Sequence, residues 1–214
     1  MKKLLLGLSV SILGFSFFNP CSAQTFQSGS LIVSLTYGFD IYSTQYNQVN
    51  NYLSPPQTIS STGGAASGNV NLGAEFGVTN WLGLGLQGKF DSYLHKSNFQ
   101  SANGGEYGIL INFHIIRHLH FDLLGGFDVG GSQLTLTSND GTNDQVYGSG
   151  SWFDIHFTSR VYIGKFGFSA TLYFPSINYS NLTSNVSGYN EFVIASLKAH
   201  GEGLNFGVQY HFLK

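Results

Sequence analysis

Seven to eight stretches of this chain alternate apolar and polar residues over nine or more positions, and nearly every charge inside them falls on the polar side. Leu31, Val33, Leu35, Tyr37 and Phe39 share one face of the first stretch, while Ser34, Thr36, Gly38 and Asp40 share the other. Successive strand side chains point to opposite faces, so the chain divides greasy from wet surface along its length. Charged residues make up only 9% of the sequence, against roughly 25% in a soluble domain. Beyond the N-terminal segment no apolar run approaches the roughly 20 residues of a membrane helix. Low charge without such a helix is what a membrane barrel needs, because its outward residues meet lipid and its lumen residues can be small.

The first twenty-three residues read as a signal peptide. Lys2 and Lys3 precede an apolar run from Leu4 to Phe18, and Asn19-Pro20 lead into Cys21-Ser22-Ala23, a small-residue cleavage site. Cutting before Gln24 removes the only cysteine and leaves one domain without thiol chemistry. A lipoprotein reading would acylate Cys21, but Phe18-Asn19-Pro20 is a poor approach to such a site. Without Lys2 and Lys3, the 9 basic residues become 7 against 11 acidic, a balance of about −4. No basic stripe exists, which argues against nucleic acid as a partner.

Eight strands follow from the pattern. The first covers about 29–42, and a polar connection with Pro55-Pro56 and Gly63-Gly64 runs from Ser43 to Ala66. The second sets Val70, Leu72, Ala74, Phe76 and Val78 against Asn71, Gly73 and Glu75, and Thr79-Asn80 is a tight turn. In the third, Leu82, Leu84, Leu86 and Phe90 oppose Trp81, Gln87, Lys89 and Asp91; a loop reaches to about Gly104. The fourth and fifth, joined by a turn at Arg117 to Leu119, put Glu106, Asn112, His114, His120, Asp122 and Asp128 on the polar face. A loop from Ser132 to about Gly150 precedes the sixth strand, whose polar face holds Asp154, His156, Thr158 and Arg160. The seventh runs from Phe166 to Phe174, where Pro175 ends it because it cannot donate to a ladder. After a loop over about 176–198, the eighth carries Leu204, Phe206, Val208, Tyr210 and Phe212 on its apolar face.

Connections therefore alternate long and short. That is the asymmetry of outer-membrane barrels, with short periplasmic turns, long external loops and both termini periplasmic. A soluble eight-stranded barrel also alternates, but its outside is watery and its inside greasy. Here the polar face is mostly Gly, Ser, Asn and Thr, which fills a narrow lumen well and would make an odd solvent surface. The fold class is all-β, an eight-stranded antiparallel up-and-down transmembrane β-barrel over residues 24–214.

The lysine-led signal ending in Ala-Gln, the segment Val78-Thr79-Asn80-Trp81-Leu82-Gly83-Leu84-Gly85, Leu123-Leu124-Gly125-Gly126-Phe127 and the closing Gly207-Val208-Gln209-Tyr210-His211-Phe212 resemble the eight-stranded outer-membrane barrel family. OmpA, OmpX and OmpW are familiar members of this porin-like group, and the Ala-Gln junction is similar to those of Bacteroidetes. The resemblance implies lipid and lipopolysaccharide as surroundings, and an assembly signal in the last strand that the barrel-assembly machinery reads. Phe206, Val208, Tyr210 and Phe212 fit that signal, although Leu213-Lys214 follow the final aromatic.

Two sets of inward residues carry chemistry. Glu75, His114, His120, Asp122, His156, Arg160 and His211 form a lumen charge network that plugs the barrel, since unpaired buried charge costs several kcal/mol. Pairing Ile116 with His120 sets His114 opposite Asp122 and makes an ion pair. A metal or proton site is the alternative, and it needs three or four convergent ligands. Asp40, Asp91, Glu106, Asp128 and Asp154 lie near the loop ends of their strands and form an acidic outer vestibule attracting cations, or else bind loop backbone and nearby basic groups. Gly83-Leu84-Gly85-Leu86-Gln87-Gly88 spells G-x-G-x-x-G, but inside a strand it reads as small lumen residues, not a dinucleotide site.

Function is less legible. Tyr42, Tyr46, Tyr52, Tyr93, Phe99, Tyr147, Tyr179 and Tyr189 fall in or beside the expected loops, a mixture with Ser, Asn and Gly that suits binding of an external ligand. Asn178, Asn181 and Asn185 head N-x-[ST] triplets that chance explains in a bacterial, Asn/Ser-rich loop. Lipid-modifying barrels use a Ser and a His at the lipid surface with an orienting acid, whereas the strand histidines here take the inward parity. The reading is a non-enzymatic barrel without cofactor or metal, largely plugged, acting in envelope structure or surface binding. A narrow porin or channel passing small or hydrophobic molecules is the alternative.

Overall fold

The computed structural model describes residues 26–50, 54–94, 99–139, 144–185 and 192–212. The expected signal segment 1–23, Cys21, Gln24, Tyr52, Tyr189 and Leu213-Lys214 lie outside the described residues. Eight strands follow in chain order: β1 (Leu31–Asn50), β2 (Gln57–Gly77), β3 (Leu82–Tyr93), β4 (Phe99–His118), β5 (Phe121–Ser138), β6 (Gln145–Ile163), β7 (Phe166–Ser184) and β8 (Phe192–Phe212). Each pairs antiparallel with its sequence neighbours, and β8 returns to β1, closing the barrel. Closure pairs the first and last strands with each other, while β3, at 12 residues, is shorter than its neighbours, so that among the described residues the 57–66 part of β2 pairs only with β1.

The strands are longer than the alternation predicts. Tyr42 pairs with Ala65, Tyr46 with Ser61 and Asn50 with Gln57, so most of the expected 43–66 loop is ladder. The expected loops 132–150 and 176–198 are likewise largely strand. At 20 residues, β1 is about twice the ~9–11 residues of a tilted membrane strand. The physical reason lies in the outer face. Within the band, Leu35, Leu72, Leu86, Ile109, Phe157 and Phe206 face outward. Toward the 51–56 end the outward positions become Ser43, Gln45, Gln133, Ser149, Ser176 and Lys198. There the outer face turns polar, and the apolar signal stops while backbone pairing continues.

Pro175 does not end its strand. It pairs with Asp154 on β6, and the β7–β8 ladder lapses between Tyr173↔Gly203 and Ser176↔His200. The missing N–H thus costs a local gap on one side and not the strand. Trp81 also departs from its expected parity. It sits in the turn before β3, 52% exposed, and stacks on outward Phe113 with centroids 6.1 Å apart.

Candidate functional site

The lumen is built in tiers. At the end that carries the turns 78–81, 119–120 and 164–165, Phe26 enters the barrel and its ring stacks on His114, centroids 3.5 Å apart and 9° from parallel. His114 joins two acids: its Nδ1 lies 2.8 Å from Asp122 Oδ2 and its Nε2 2.8 Å from Glu75 Oε1. Arg160 closes the ring of four, with Nη2 2.7 Å from Glu75 Oε2 and Nη1 3.6 Å from Asp122 Oδ2. All four side chains are buried. Low dielectric strengthens such contacts and makes the loss of any one partner costly.

Midway along the axis, small and polar residues such as Thr36, Gly73, Gln87, Thr158 and Asn205 line a cavity of about 60 Å³. Beyond it Lys89 is buried among three acids: its Nζ lies 2.7 Å from Asp40 Oδ2, 3.3 Å from Asp91 Oδ1 and 3.7 Å from Glu106 Oε2. Asp40 also accepts hydrogen bonds from Tyr42 Oη at 2.7 Å, from Asn69 Nδ2 at 2.9 Å and from Tyr173 Oη. Asp128 and Asp154 face each other directly across β5 and β6, and His156 Nδ1 stands 3.3 Å from Asp128 Oδ2. Still nearer the 51–56 end, Tyr42, Leu134, Trp152, Ile177, Tyr179, Leu182 and Ala199 pack as an apolar cluster inside the barrel. The polarity of the wall inverts at this level: polar side chains outside, aromatic ones inside.

No protein-family profile and no curated protein matches the sequence. Solved structures do match. The outer membrane protein OprG from Pseudomonas aeruginosa superposes with TM-score 0.53 at 11% identity, over 88% of this chain and 98% of that one. Neisserial surface protein A (NspA) gives TM-score 0.54 at 8% identity, over 82% and 97%. Outer membrane protein AlkL, solved in lipid bilayers, gives 0.51 at 9%, over 94% and 98%. The chain has the fold of an eight-stranded outer-membrane β-barrel. At these identities the likeness fixes the architecture alone.

Within that barrel the inward residues divide differently from the sequence reading. Glu75, His114, Asp122 and Arg160 come together as one network. The register that led to the ion pair is corrected, however. His114 pairs with Leu124, a bulge follows between His114 and Ile116, and Arg117 is the partner of Asp122. Side chains reaching diagonally along the face still meet. His120 is half-buried at the turn, with Nδ1 3.3 Å from the Tyr162 carbonyl oxygen, and His211 is buried beside the Tyr162 ring at 5.8 Å. His156 belongs to the other group through Asp128.

The acidic vestibule is also corrected. Asp40, Asp91, Glu106, Asp128 and Asp154 do share the lumen, but each is at most 3% exposed and the aromatic cluster lies on their loop side. They cannot face outside water as a mouth would. Tyr42 and Tyr179, expected at the loops, are part of that cluster, and Tyr93 packs against it. Tyr46 and Tyr147 are partly exposed. Trp152 and Ile177 face inward where the outer face is polar, so no apolar alternation on the outside marks them. Their spacing from Asp154 and Tyr173, two and four residues, keeps the inward parity and could have exposed them.

Two histidines outside the expected inward set also lie in strands. His118 and His200 are exposed, and His200 pairs with Ser43 on one side and Ser176 on the other, with Glu202 two residues along. No side-chain hydrogen bond among the described residues joins the His200 imidazole to either serine. Gly83, first of the G-x-G-x-x-G glycines, lies inside β3, and a Cβ there would overlap the Glu75 carboxylate. Gly83 makes room for the charge network, whereas Gly85 lies against the Ala74 carbonyl and Gly88 meets nothing within 4 Å. Phe206, Val208 and Phe212 are exposed on the outer face of β8, and Tyr210, on the same face, is half-buried.

Proposed function

We propose that this chain resides in the outer membrane of a Gram-negative cell with its termini and short turns in the periplasm, as a closed barrel that serves envelope structure or surface binding. The observation that carries the reading is the double closure of the lumen. Phe26 and the Glu75–His114–Asp122–Arg160 ring block one end, and the cluster around Trp152 and Tyr179 blocks the other. An eight-stranded interior is about filled by its own side chains, and here one level is packed with apolar side chains and another is ion-paired. Past the apolar band the strands continue as a collar whose outer face is polar. Partners of this reading are lipopolysaccharide around the wall, the barrel-assembly machinery during insertion and an external ligand at the collar.

Conductance in planar bilayers tests it. The purified barrel is expected to give no steady current at moderate voltage, and an ohmic channel in every insertion would overturn the closed-lumen reading in favour of a narrow porin. Catalysis is not part of the proposal, so the lipid A profile of cells expressing the chain is expected to match that of control cells. A deacylated or newly acylated species, lost in His200→Ala, would contradict this.

A further inference from the structure

The mid-lumen group holds more negative charge than its cations balance. Asp40, Asp91, Glu106, Asp128 and Asp154 are all buried, while Lys89 is the buried lysine among the described residues and already contacts three of them. Asp128 and Asp154 face each other and His156, and Phe174 adds one main-chain hydrogen bond to Asp154. They sit directly opposite on adjacent strands, an arrangement that destabilises a sheet when both are ionised. Their Oδ1 atoms are buried and accept no hydrogen bond, and both residues line the cavity.

We propose that Asp128, Asp154 and His156 form a buried site for one first-row divalent cation, with zinc the ion the donors suit best. One ligand atom from each lies within 4.8 Å of the others. Around a tetrahedral zinc with bonds of ~2.0–2.2 Å, ligand atoms lie about 3.3 Å apart. The 3.3 Å between His156 Nδ1 and Asp128 Oδ2 already matches that edge. His156 Nε2 is 2.8 Å from Asn112 Oδ1. Donating its N–H there leaves the Nδ1 lone pair facing a carboxylate oxygen, two acceptors that a cation between them would reconcile. An outer partner on the second ring nitrogen is the usual support of a metal-binding histidine. Gly126 keeps that bridge in place, since a Cβ would come within 2.5 Å of Asn112 Oδ1 and 2.7 Å of His156 Nε2. The cavity of about 60 Å³ exceeds the ~10–15 Å³ that one water requires, so a water can complete the shell. Two carboxylates and a neutral imidazole around a 2+ ion leave no net charge at the site.

The site lies between the two closures, so the ion enters as the barrel folds. The full chain is folded into detergent micelles with Zn²⁺ or Co²⁺, washed with chelator and assayed by elemental analysis. About one equivalent per chain is expected, and Co²⁺ is expected to give the visible absorption of a low-coordinate nitrogen and oxygen site. Asp128→Asn, Asp154→Asn and His156→Gln should each lower retention on the order of tenfold or more at equal folded fraction on unboiled gels, while Asp91→Asn should not. Wild type that retains no ion above detergent blanks and shows no Co²⁺ band would overturn the site without recourse to variants. Retention unchanged in all three ligand variants would overturn the assignment of its residues.

Discussion

Lys89 is the residue on which the upper half of the lumen depends. Removing one partner of a buried ionic cluster leaves the others uncompensated, at about 3–5 kcal/mol, because among the described residues no other cation contacts Asp40, Asp91 and Glu106. Lys89→Met is therefore expected to lower unfolding stability in detergent by about that much. Arg117→Met, which removes an exposed guanidinium bonded to the Asn80 carbonyl at 2.8 Å, should cost under about 1 kcal/mol. The same discrimination applies within the glycine motif. Gly83→Ala drives a methyl into the Glu75 carboxylate and should cost about 1–3 kcal/mol, whereas Gly88, whose Cβ would meet nothing within 4 Å, should tolerate alanine to within about 0.5 kcal/mol. Urea titrations of the four variants check both pairs, and equal costs within either pair would contradict the placement.

Apart from the short β3, each strand of this barrel is two strands in series, one with an apolar outer face and one with a polar outer face. Leu86 is 68% exposed on the lipid band of β3, and Leu86→Arg should cost about 2–4 kcal/mol as a mid-band charge does. Ser176→Arg on the polar collar of β7 should be nearly silent. Inside the collar the rule reverses, and Trp152→Ala should cost about 3–5 kcal/mol for the cavity it leaves. This duality also decides what the sequence revealed. The lipid segments were legible because Leu31 to Phe39 or Phe166 to Phe174 alternate cleanly against hydrocarbon. The collar segments were not, since Ser43, Gln45 and Asn47 outside with Tyr42 and Tyr46 between them look like any polar loop. The inward acids followed from parity alone, but their height along the axis did not, because height depends on how far the ladders extend. The bulge after His114 was equally invisible, as a one-residue slip leaves both Ile115 and Ile116 outward and greasy either way.

For the whole molecule, the account depends on an inverted partition, with lipid against the apolar face and ionic groups inside. Two tryptophans report on the two sides: Trp81 is 52% exposed at the edge of the lipid band, and Trp152 is 1% exposed inside the collar. In proteoliposomes containing lipids brominated near the headgroup end of the acyl chain, fluorescence of the Trp152→Phe protein, which retains Trp81, is expected to be strongly quenched. The Trp81→Phe protein, which retains Trp152, is expected to keep nearly its full intensity. Quenching of Trp152 with Trp81 left bright would mean that the barrel is turned the other way, greasy side inward, and the membrane assignment would fall.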